Sequence, residues 1–146
     1  MSRESFRRLI LLYIALILAD IAVAFFAPTG YSGALSEAFE NEPAPALVAN
    51  LGLMVAIALP ISVAAIAGII GLYLFKTWGR PLSLVSTIAG LIVYLFTGPT
   101  LYGAAEYMLW EASTLVWGAI LALAYHSPVA IHFERPKQWS ESTVES

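Results

Sequence analysis

The chain has 146 residues, of which 60% are hydrophobic and only 12% are charged, and its formal net charge is −3. Soluble domains carry about 25% charged residues, so most of this chain does not face water. The absence of cysteine excludes disulfides and thiolate chemistry, and there is no basic patch of the kind that nucleic acid requires.

Four long apolar segments predict four helices, at about residues 6–27, 46–75, 81–98 and 100–126. Each is close to the ~20 residues needed to cross a ~30 Å hydrocarbon core, where backbone groups must be paired within the segment. We therefore expect an all-α integral membrane protein. It forms a single transmembrane domain, a four-helix bundle over residues 1–146, with a polar tail at residues 137–146.

The first segment follows a basic stretch, and its apolar run is longer than that of a secretory signal peptide, so we interpret it as an uncleaved anchor. The loop after it, residues 28–45, begins with Pro28 and Gly30 and carries three acids and no cation. We interpret this loop as a solvated, acidic external loop that can hold one short helix from Ser36 to Glu42, with Ser36 as its N-cap. The alternative is a docking surface for a partner or a weak cation site.

The second segment contains Pro60, which removes one helix hydrogen bond, so we expect a kink there. Beyond it, Gly68 and Gly71 mark a face on which another helix can approach closely. In the third segment, which opens with Pro81, polar and small residues recur on one helical face, which we expect to point into protein. These residues are Ser83, Thr87, Gly90, Tyr94 and Thr97.

Lysines and arginines occur in only three places: before the first segment, between the second and the third, and after the fourth. They are Arg3, Arg7, Arg8, Lys76, Arg80, Arg135 and Lys137. With four spans, all of them fall on one side of the membrane. The positive-inside rule then predicts a multi-pass protein of a bacterial-type inner membrane with both termini cytoplasmic.

Three acids lie within the predicted spans. Asp20, Glu106 and Glu111 are expected ~10, ~9 and ~16 Å from the external ends of their helices. Asn50 and Tyr94 also fall in this outer half. Because every cation is on the other side, three states remain open for the acids. The acids are protonated and hydrogen-bonded, or paired with a cation from outside the chain, or open to a water-filled cavity.

No catalytic or cofactor motif accompanies these acids. A Glu-x-x-His pair, a phosphate loop and a serine elbow are all missing, so we expect no enzyme, no cofactor and no metal site. The leading hypothesis is an oligomeric or accessory interaction subunit that binds other membrane helices. The alternative is a small transporter or channel, coupled to a proton or small cation, that uses Asp20 and Glu111.

Overall fold

The computed structural model describes residues 2–26, 33–126 and 128–133, and all regular structure within these ranges is helical. Pro28, Gly30 and the predicted tail lie outside them. Three helices are long and apolar enough to cross a membrane, and a fourth apolar helix, α5, is shorter with 16 residues. In chain order the helices are α1 (Arg3–Phe26), α2 (Gly33–Glu40), α3 (Ala46–Ala49), α4 (Leu51–Tyr73), α5 (Gly79–Tyr94), α6 (Ala104–His126) and a 3₁₀ helix (Pro128–Phe133).

The starts of α2 and α4 differ from the sequence prediction. The predicted helix at residues 46–75 is divided at Asn50, whose extended backbone separates α3 from α4. The Asn50 side chain then caps α4, because its Oδ1 accepts a hydrogen bond of 3.0 Å from the Leu53 amide. In the first loop, α2 begins at Gly33, so Ser36 lies inside the helix and is not its N-cap. The α4 helix continues through Pro60, and the kink remains a prediction.

The third and fourth apolar segments are separated by a longer connection than predicted. α5 ends at Tyr94, and the next three amides bond to carbonyls three residues back, which tightens the chain into a 3₁₀-type turn through Thr97. Gly98 then adopts a φ of 80° and packs on the ring of Pro45. The α6 helix consequently begins at Ala104, four residues later than the sequence indicated.

The helices pack as two antiparallel pairs, α1 with α6 and α4 with α5. The α4 and α5 helices approach closely because Gly71 of α4 lies against Gly79 of α5 and Gly68 of α4 lies against Ser83 of α5. A Cβ on Gly71 would lie 2.6 Å from the Cα of Gly79, and a Cβ on Gly68 would lie 2.5 Å from the Oγ of Ser83. The predicted close-packing face of the second segment is thus confirmed.

The buried apolar side chains gather at one end of the molecule. This end also carries the described lysines and arginines, so we name it the arginine end (Arg3, Arg7, Arg8, Lys76, Arg80). Its core consists of Phe6, Ile10, Leu72, Ile120, Ala124, Val129 and Phe133. Toward the opposite end the two helix pairs bury few residues, and an open apolar groove of about 330 Å³ lies between α4 and α5.

Candidate functional site

The register of α1 against α6 determines which residues meet near the opposite end. The rings of Tyr13 and Trp117 stack at 4.7 Å. Asp20 follows Tyr13 by seven residues on α1, and Trp110 precedes Trp117 by seven residues on α6, which is about two turns in each helix. Because the helices are antiparallel, Asp20 lies level with Trp110. The Asp20 side chain is half-buried, and its Oδ1 is enclosed without a hydrogen-bond partner among residues 2–26, 33–126 and 128–133. Glu106 lies close enough for its charge to act on Asp20 electrostatically.

Glu106 has a second, structural role. It is the third residue of α6, and its Oε2 accepts a hydrogen bond of 3.2 Å from the amide of Gly103, the residue that precedes the helix. This is one half of a capping box, and a negative charge in the first turn also suits the helix dipole. The sequence indicated a position six residues into a helix, because the start of α6 was predicted too early.

Glu111 lies on a different face of α6. Five residues correspond to a rotation of about 140° from Glu106. Its side chain is exposed and lies within hydrogen-bonding reach of the hydroxyl of Tyr107, one turn away. The structure brings Asp20 together with Glu106, and it shows no interaction between Asp20 and Glu111.

Three aromatic side chains lie beside the two acids. The Tyr94 hydroxyl forms hydrogen bonds with the Thr100 hydroxyl at 2.9 Å and the Tyr102 hydroxyl at 3.0 Å. The Trp110 ring stacks at 6.2 Å from the ring centroids of both tyrosines. We name Asp20, Tyr94, Tyr102, Glu106 and Trp110 the acid–aromatic cluster.

Tyr102 precedes α6 and stands next to Glu106. Burial, the hydrogen bond to Tyr94 and the charge of Glu106 all raise the pKa of Tyr102, so its hydroxyl keeps its proton at neutral pH. The sequence analysis identified Tyr94 as a candidate but neither Tyr102 nor Trp110. The only signal for the cluster was the recurrence of aromatic residues on both sides of the Gly98–Pro99 turn.

The predicted polar face of α5 points into protein at one end only. Ser83 is fully buried. The Thr87 hydroxyl donates a hydrogen bond of 2.8 Å to the Ser83 carbonyl and accepts one of 2.9 Å from Trp117 Nε1. At the other end, Tyr94 is 40% exposed. Asn50, the remaining predicted site residue, is exposed and acts as a local helix cap away from the cluster.

The acid–aromatic cluster has no basic partner in the described part of the chain, because the lysines and arginines found there lie at the arginine end. The described residues also contain no group of three His, Asp or Glu side chains that could hold a metal ion. Comparison with protein-family models, with characterised proteins and with solved structures finds no match. The arrangement can accept protons or a cation, and it is neutral only when both acids are protonated.

Proposed function

We propose that the chain is an oligomeric or accessory interaction subunit of a bacterial-type inner membrane. In this proposal α1, α4, α5 with its following turn, and α6 form four spans, with both termini in the cytoplasm. The positive-inside rule supports this orientation, because in it the arginine end faces the cytoplasm. The 16 residues of α5 cover about 24 Å, and the turn through Thr97 adds the length that a ~30 Å core requires.

The observation that carries the proposal is the enclosed, unpartnered Oδ1 of Asp20. A carboxylate within a membrane helix costs ~2.5–3.5 kcal/mol on insertion scales and is stabilised when it meets a donor or a cation. The charged group that acts on Asp20 is another acid, Glu106, which cannot supply positive charge. A lysine or arginine on a helix of a partner protein, or a hydroxyl donor there, would complete the site.

The packing of the helices supports the same proposal. The described residues bury their apolar core at the arginine end, and the outward faces of α1, α4, α5 and α6 near the acid–aromatic cluster are left exposed by the part of the chain that the structure describes. The open groove lined by Leu53, Ile57 and Phe96 offers a further apolar surface to a helix. Transmembrane partners associate through such shape-fitting faces together with a few polar contacts.

The test is purification in mild detergent of the wild-type chain and the Asp20→Asn variant, with the mass of each complex measured by light scattering and native mass spectrometry. The wild-type chain should carry another membrane protein or further copies of itself, and Asp20→Asn should release a large fraction of them. Glu40→Gln, an exposed acid on α2, is the matched control and should leave the complex intact. A monomeric wild-type chain, or an unchanged complex with Asp20→Asn, would contradict the proposal.

The acid–aromatic cluster favours a second candidate function, that of a small transporter or channel for a proton or an organic cation. Rings of tyrosine and tryptophan attract cations through their faces, and two neighbouring acids supply negative charge. In this candidate Glu106 is the nearer partner of Asp20, whereas the sequence pointed to Glu111. Binding of tetraethylammonium that weakens at low pH and is lost with Asp20→Asn, while the oligomer persists, would support transport over the interaction role.

A further inference from the structure

The arginine end contains a strained backbone position. α4 finishes in a Schellman motif, in which the Phe75 amide bonds to the Leu72 carbonyl at 3.1 Å and the Lys76 amide bonds to the Gly71 carbonyl at 2.8 Å. Phe75 occupies the left-handed position of this motif with a φ of 54°, where glycine is usual. A residue with a bulky side chain persists there only where its surroundings hold it.

The surroundings of Phe75 are rings and guanidinium groups. The Phe75 ring contacts the rings of Phe6 and Phe133, with centroid distances of 5.7 and 5.2 Å. The guanidinium carbons of Arg3 and Arg7 lie 5.4 and 5.5 Å from the centroid of the Phe75 ring. The left-handed turn therefore places one aromatic ring beneath two arginines of α1.

A third arginine approaches from α5. The guanidinium carbon of Arg80 lies 5.2 Å from the centroid of Phe133, whose ring contacts that of Phe75, and 4.8 Å from the centroid of Tyr125. The Nε of Arg80 is enclosed and has no hydrogen-bond partner in the part of the chain that the structure describes. An unused donor on a half-buried guanidinium requires an acceptor.

The charges at this end are unbalanced. Within the described ranges a single ion pair forms, between Arg8 and Glu4 at 2.6 Å, and both of its side chains point to solvent. Arg7 uses its Nε to bond the Tyr73 carbonyl at 3.3 Å, which leaves its terminal nitrogens available. The guanidinium groups of Arg3, Arg7 and Arg80 thus lie over two rings that contact each other. None of the three forms an ion pair with a carboxylate of residues 2–26, 33–126 or 128–133.

We propose that Arg3, Arg7 and Arg80 bind the phosphate of an anionic phospholipid headgroup. A planar guanidinium matches two phosphate oxygens at once, and stacking on aromatic rings holds it in a fixed orientation. Basic pockets between membrane helices at the cytoplasmic side are suited to such headgroups. A lipid is favoured over free phosphate because the arginines lie at the ends of apolar helices, where acyl chains have exposed side chains such as Leu11 and Ile70 to contact.

The experiment measures the thermal stability of the full-length protein in a neutral detergent during titration with phosphatidylglycerol. The melting temperature of the wild-type chain should rise in a saturable way, and phosphatidylcholine should have little effect. If Arg7 and Arg80 each contribute about a fivefold gain in affinity through contact with the phosphate, Arg80→Gln and Arg7→Gln should each weaken the response about fivefold. Arg8→Gln, which removes the solvent-exposed pair with Glu4, is the matched control and should respond like the wild type.

Three results would overturn the proposal. Equal stabilisation by phosphatidylcholine would show that acyl chains alone act, and equal stabilisation by inorganic phosphate would show that the ligand is a soluble anion. In the third, phosphatidylglycerol gives no saturable rise in the melting temperature of the wild-type chain. Arg80→Lys separates folding from binding, because it keeps the charge, and it should restore part of the lipid response lost in Arg80→Gln.

Discussion

At the scale of single residues, Glu106 shows how a polar residue can serve the helix and the site at once. Its carboxylate bonds to the amide before α6 and also stands next to Asp20. The first role stabilises the start of α6, whereas the second is unfavourable because two like charges repel. The presence of an acid near this helix start was evident from the sequence. Its bond to Gly103 was not, because the apolar pattern continues past the true start.

We expect Glu106→Ala to lower the stability of the protein by about 1 kcal/mol, because the amide of Gly103 loses its acceptor. The measurement is unfolding in mixed micelles, followed by circular dichroism. Glu111→Ala removes an exposed acid from the same helix and should change stability by less than half as much. A gain in stability with Glu106→Ala would show that repulsion from Asp20 outweighs the cap.

Phe75 marks the limit of prediction at this scale. The apolar pattern of the second segment continues through residue 75, so the sequence predicted a helix to that point. The structure ends α4 at Tyr73 and turns the chain at Phe75 into a conformation that phenylalanine rarely adopts. Only the tertiary contacts with Phe6 and Phe133 account for this turn, and no local pattern encodes them.

At the scale of helices, the hydropathy of the sequence predicted the apolar middle of each helix but not the residues at which the helix begins and ends. The small residues of the second segment predicted the close approach of α4 to another helix, and Gly68 and Gly71 do lie there against α5. The end of α5 at Tyr94 was not predictable in the same way. It depends on Gly98 at positive φ and on its contact with Pro45, which is distant in sequence.

Gly71→Leu should separate the α4–α5 pair, because no space for a side chain exists between Gly71, Gly79 and the ring of Trp78. Overpacking of this kind costs about 1–3 kcal/mol, and the melting temperature in detergent should fall accordingly. Gly90→Leu is the control on the neighbouring helix, where a Cβ meets no atom within 4 Å. Equal losses in the two variants would contradict the packing described for this helix pair.

At the scale of the whole molecule, the distribution of charge predicts the arrangement in the membrane. The arginine end and the acid–aromatic cluster lie at opposite ends of the helices, which is the pattern expected if the arginine end faces the cytoplasm. Helix content and the presence of three long apolar helices followed directly from hydropathy. The number of spans depends on the short α5, and composition alone does not determine it.

The absence of native cysteine makes this orientation testable by labelling. We expect Thr77→Cys, in the turn between α4 and α5, to be protected from a membrane-impermeant maleimide in intact cells. Glu40→Cys, on α2, should be labelled under the same conditions, because it lies on the opposite side of the four proposed spans. Both should react after the cells are permeabilised. Labelling of both before permeabilisation would contradict the four-span arrangement.

The pairing of α1 with α6 has a consequence for biogenesis. Of the described helices, α1 is synthesised well before α6, its main neighbour, whereas α4 and α5 are adjacent in sequence and can associate as soon as both have been made. Until α6 is made, α1 lacks the helix that packs beside Asp20. We therefore expect a chain interrupted before α6 to expose this acid more than the finished molecule does.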